Sequence, residues 1–200
     1  MSLSNDLLDQ LQGAPLQQIS RQLGIDPQQA GGAVSAALPL LMGALGNNAA
    51  RPQGAQALLG ALGSNHAGLD IGSVLGSVLG GGNSPATNGA GILGHIFGNN
   101  QARAETGLAQ ATGLSGDRSA QLLKILAPIV MAYLAKRVLG GGQADAGGLG
   151  QLLGQERQAV RSEGGPAAGL LGMLDQDGDG QFGVSDLIRL GSGLLGSGKR

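Results

Sequence analysis

Between Ala30 and Leu45 the apolar residues fall on one helical stripe. Ala30, Ala33, Val34, Ala37, Leu38, Leu41, Met42 and Leu45 follow one another at i, i+3, i+4 and i+7. The boundary signals agree with a helix. Gly24 suits a left-handed cap for a preceding short helix, Leu16 to Leu23. Asp26 is placed to cap the next helix, with Pro27 at its first position and Gln29 at a spacing like that of a capping box.

A stretch with the same landmarks occurs twice. Gly24 to Leu45 reappears without a gap as Gly113 to Leu134, so that Pro39 falls on Pro128 and Leu38, Leu41 and Met42 fall on Ala127, Val130 and Met131. A gapless match of this length predicts an internal duplication built from two helical hairpins. Each proline removes a backbone donor inside its helix and is expected to kink it. The second helix carries Leu122, Leu123, Ile125, Leu126, Ile129, Val130, Met131, Tyr133 and Leu134, which makes it apolar on most sides and places it at the centre of the fold.

Around these two helices the chain is punctuated by glycine. Leu7, Leu8 and Leu11 predict a short amphipathic helix ending near Gly13, and Ala55 to Leu62, Ile71 to Leu79 and Ala102 to Thr112 predict three more. Gly80 to Gly89 and Gly140 to Gly148 read as links. Leu149 to Arg161 reads as a helix with its charges on a solvated face. The organisation expected is a first repeat over 1–98, a second over 99–142, a linker and helix over 143–165, and an acidic segment over 166–200. The fold class is all-α, with internally duplicated hairpins, Pro-kinked central helices and a single loop like an EF-hand at the C-terminus.

Composition narrows the functional classes. With 42% hydrophobic residues but no Trp, one Tyr and two Phe, the core must form from aliphatic side chains on closely approaching helices. A net charge of −1 with 12% charged residues offers no polyanion surface, so nucleic acid is not an expected partner. The absence of Cys removes disulfides and thiolate chemistry. The run Met1 to Asp9 lacks a basic region followed by an apolar core. Ile125 to Ala135, the longest apolar run, is shorter than the ~20 residues that span a bilayer. A cytoplasmic protein without a membrane span is expected.

One stretch carries recognisable chemistry. Asp175-Gln-Asp-Gly-Asp-Gly-Gln-Phe-Gly-Val-Ser-Asp186 has the twelve-position register of a calcium loop. Asp175, Asp177 and Asp179 supply hard oxygens at positions 1, 3 and 5. Gly180 permits the sharp turn, the Gln181 carbonyl serves at position 7, and Asp186 closes the loop. A closing Asp reaches the ion with less bidentate character than Glu, which weakens calcium and improves the relative standing of magnesium. Leu170, Leu171 and Leu174 before the loop, and Leu187, Leu190 and Leu194 after it, supply inward faces for two flanking helices.

Other candidates are weaker. Gln18 to Val34 has helix-turn-helix spacing, but its second helix presents Gln28, Gln29, Gly31 and Gly32 with no Arg or Lys to hold phosphates, so a packing role is preferred. His95, between Leu93 and Ile96, has no nucleophile or carboxylate tied to it by motif and reads as a hydrogen-bonded structural histidine. No enzyme signature is present.

Several pieces together resemble one bacterial family. Gly91-Ile-Leu-Gly-His-Ile-Phe-Gly98, Ala111-Thr-Gly-Leu114, Leu122-Leu-Lys-Ile-Leu-Ala-Pro-Ile-Val-Met131 and Leu174-Asp-Gln-Asp-Gly-Asp-Gly180 are similar to the family catalogued as domain of unknown function 937, to which YidB-type proteins are related. The acidic loop also resembles dockerin-type calcium loops. The resemblance implies an all-helical bacterial protein and no particular activity. The function expected is therefore a non-enzymatic structural or interaction protein with a divalent-cation loop for calcium or magnesium. The alternative is a self-assembling helical protein in which the loop is accessory.

Overall fold

A computed structural model describes residues 2–82, 84–141 and 145–163 of the chain. Among the described residues every regular element is helical: α1 (Leu3–Leu11), α2 (Ala14–Leu23), α3 (Pro27–Ala49), α4 (Pro52–Ala61), α5 (Ile71–Leu79), α6 (Gly89–Phe97), α7 (Gln101–Thr112), α8 (Gly116–Gly140) and α9 (Ala146–Glu163). A π-helical turn, Leu62–His66, extends α4, and a short 3-10 turn, Gly98–Asn100, joins α6 to α7.

The two proline helices form the middle of the described residues, and the other described helices pack around them. All eight positions of the α3 stripe are buried, and so are Ala36, Leu40 and Ala44 beside it. Helix α8 is buried without a break from Ile125 to Ala135. Both helices run through their prolines as single elements. Pro128 has no N–H to offer the carbonyl four residues back, that of Lys124. Buried Gly89, the first residue of α6, packs its backbone directly onto this carbonyl.

Local chemistry at the starts of α3 and α8 follows the residue spacing. Gly24 ends α2 in the left-handed region at φ 62°, and the Gly24 and Ile25 amides donate to the carbonyls of Arg21 and Ser20, which closes a Schellman cap. Gly113 ends α7 in the same region at φ 70°, and its amide donates to Ala109. Asp26 then accepts from the Gln29 amide at 2.8 Å, and Ser115 accepts from the Arg118 amide at 3.4 Å. A third cap of this kind starts α5, where the hydroxyl and amide of Ser73 donate to Asp70 and hold its carboxyl below the usual range. That cap is in place at neutral pH and is lost as the pH falls through the lowered value.

The outer helices do not simply stay with their neighbours in sequence. Helices α5 and α6 pack on α8, while α9, which follows α8, lies along α3. The approach of α3 and α9 is close because glycine faces backbone on both sides. A side chain at Gly46 would meet the Leu153 carbonyl at 3.1 Å, and one at Gly150 would meet the Ala49 carbonyl at 3.3 Å.

Two expectations are corrected here. Residues 140–148 are not one link: α8 includes Gly140 and α9 already starts at Ala146, because Asp145 accepts from the Gly148 amide at 2.8 Å and caps it. The charges of α9 are not all solvated either. Leu149, Leu153 and Glu156 lie on one buried stripe of that helix, and Glu156 is only 3% exposed.

Candidate functional site

The ligands expected for a cation, Asp175, Asp177, Asp179, Gln181 and Asp186, lie outside the described residues, as do the flanking leucines from Leu170 to Leu194. Among the described residues there is no group of three or more His, Asp or Glu side chains that could hold an ion.

The described residues carry instead a cleft of about 500 Å³ between the face of α4 with its π-helical turn and the face of α6. Its floor is formed by Leu45 of α3 and Met131 of α8, so it sits over the place where the two proline helices meet. Leu58 and Ala61 line one wall, and Ile92 and Ile96 line the other. The walls hold their places through backbone contacts. The Asn48 amide donates to the carbonyls of Ile96 at 2.9 Å and His95 at 3.3 Å, which satisfies the last turn of α6. Gly54 of α4 packs its backbone against the Asn48 carbonyl.

Both histidines of the chain line this cleft. His66 is 2% exposed; its Nδ1 lies 3.3 Å from the Ala61 carbonyl, and its Nε2 is buried with no partner among the described residues. The π-helical turn brings this about, because its i→i+5 spacing sets residue 66 over residue 61. Sequence reading passed over His66, although its position four residues after buried Leu62 marks it as inward-facing. His95 corrects the expectation of a structural histidine. Ile92, Leu93, Ile96 and Phe97 take the core face of α6, which turns residue 95 outward to the exposed rim of the cleft. No Asp or Glu lines the cleft among the described residues.

A second cavity, of about 600 Å³, lies where α1 meets the end of α8, lined by Asp6, Asp9, Tyr133, Lys136 and Arg137. Burial, followed by the negative charge of Asp6, raises the Tyr133 phenol above its usual value.

Glu156 is a buried polar centre that joins two helices distant in sequence. Its carboxylate accepts from the Leu3 amide at 2.6 Å, from the Ser4 amide at 2.9 Å and from the Ser4 hydroxyl. The free N–H groups of Leu3 and Ser4 at the start of α1 are thus satisfied by a side chain from α9, while Ser2 accepts from the Asn5 amide. One residue on, Arg157 donates to Asn47 of α3 at 2.8 Å, so consecutive charges of α9 tie it to two different helices. A site of this form holds helices together and has no access for a reactant.

Among the described residues one helix, Pro27–Ala49, is long and apolar enough to cross a membrane, with a mean hydropathy of 1.3 over its best window. Within the fold that window is 72% buried against the other helices.

Comparison with curated proteins and with solved structures gives no match. A family profile described as "Bacterial protein of unknown function (DUF937)" matches residues 5–137, from α1 into the last turns of α8. That match covers more than half of the chain and includes both proline helices and the cleft between α4 and α6, and the protein accordingly belongs to the bacterial family of unknown function DUF937.

Proposed function

We propose that this protein is a non-enzymatic helical scaffold whose C-terminal segment binds a divalent cation, calcium or magnesium, through Asp175, Asp177, Asp179, Asp186 and the Gln181 carbonyl. The observation that carries the reading is the register of the acidic stretch, with oxygen-bearing residues at positions 1, 3, 5 and 12 and glycine at position 6. The ion would draw four mutually repelling carboxylates together and order the segment that follows α9. A duplicated origin for the scaffold is supported by the left-handed glycine before each long helix, the capping residue at its start and the proline inside it, which recur at equivalent positions for α3 and α8.

Isothermal titration of the full chain with calcium and with magnesium tests the cation site. Wild type is expected to take up one calcium ion per chain, and Asp175→Ala to bind at least tenfold more weakly, a difference of about 1.4 kcal/mol. Equal heats from the two proteins would remove the site. Because the chain carries one such loop, a second copy is the natural partner for it. Light scattering that rises on adding calcium and falls with chelator supports self-association through the loop, and assemblies indifferent to chelator would place the contact elsewhere.

A further inference from the structure

We infer that the cleft between α4 and α6 is a binding site for a small, uncharged and largely apolar molecule that carries one hydrogen-bond donor, a hydroxyl or a ring N–H, directed to Nε2 of His66. The inference is independent of the cation loop. It starts from the lining. About 500 Å³ falls within the range of small-molecule sites, and the surfaces that bound it are mainly aliphatic. No Asp, Glu, Lys or Arg lines the cleft among the described residues, so a charged ligand would lose its hydration with no countercharge to replace it.

His66 supplies the specificity. A carbonyl only accepts, so the 3.3 Å contact with the Ala61 carbonyl puts the proton on Nδ1. Nε2 of the neutral ring is then a bare acceptor, and it has no partner among the described residues. A buried acceptor left without a hydrogen bond is destabilising, and a matching donor on a ligand relieves it. The shape of the backbone favours this use of the residue. A π-helical turn seats a side chain where a regular helix would not, and such turns recur at functional sites. Small residues leave the entrance open: Ala57 is exposed on the α4 wall, and Gly91 faces it from α6.

Phenol and benzene form a test pair that differs by the hydroxyl alone. With only two histidines in the chain, long-range proton–nitrogen correlation spectra of the labelled full-length protein report each ring separately. Phenol is expected to shift the His66 Nε2 resonance saturably and to bind at least tenfold more tightly than benzene. Ala57→Trp, at an exposed position that can take a larger side chain without disturbing the core, is expected to abolish the shift. His66→Phe is expected to stay folded and to bind both compounds alike; a purely structural histidine would leave their ratio unchanged. The proposal is overturned if phenol leaves His66 unmoved up to its solubility, if wild type does not distinguish phenol from benzene, or if phenol binds Ala57→Trp as it binds wild type.

Discussion

Glu156→Ala is expected to lower the free energy of unfolding by about 3 kcal/mol, read as a drop in the urea midpoint at unchanged slope. The size follows from what the carboxylate leaves behind. Three donors, the amides of Leu3 and Ser4 and the Ser4 hydroxyl, all converge on it, and Ser4 is itself 4% exposed. Alanine offers none of them an acceptor. Glu156→Gln keeps one accepting oxygen but turns an NH₂ toward the remaining donors, so about half the loss is expected to persist. Amide hydrogen exchange should place the damage: Leu3 and Ser4 lose protection first in the alanine variant. A loss under about 0.5 kcal/mol would mean that the clasp between α9 and α1 contributes little to stability.

Gly89→Ala is expected to be about as damaging, by a different route. The added methyl would press into the carbonyl of Lys124 and lie 2.7 Å from its carbon and 2.9 Å from its Cα. These are backbone atoms of a central helix and cannot swing aside as a side chain end could. Helix α6 has to withdraw from α8 instead, opening space over Ile125 and Leu126 at a cost of about 3 kcal/mol. Gly94→Ala provides the control within the same helix. It is exposed, with nothing within 4 Å of the new methyl, and should stabilise by about 0.5–1 kcal/mol. Thermal unfolding of the two variants beside wild type decides the matter, since helix propensity alone predicts a gain for both.

Much of the architecture could be read from the chain, and the reason is local. The stripes of α3 and α8 carry so many aliphatic positions at helical spacing that no other element suits them, and every residue named on those stripes is buried. Caps at Gly24 and Asp26 depend on neighbours within five residues, and those too were legible. Contacts across the sequence were not. Nothing near Glu156 announces that its partners are residues 3 and 4, although its spacing of three from Leu153 and seven from Leu149 marks it as facing inward. For the same reason the cleft was invisible. Its walls come from segments about thirty residues apart, and His66 enters it only because the end of α4 widens into a π-helical turn. The acidic loop is the opposite case, a motif complete within twelve residues and lying outside the described ones.

The close seating of α9 on α3 has a consequence for biosynthesis. The groove along Gly46 and Ala49 is filled by the last described helix, so it stays open to solvent while the ribosome adds the next hundred or so residues. During that interval the nascent chain presents an aliphatic strip with no cover. A message truncated before Ala146 would make the exposure permanent and yield a product prone to aggregate, even though the whole span matched by the family profile had been translated.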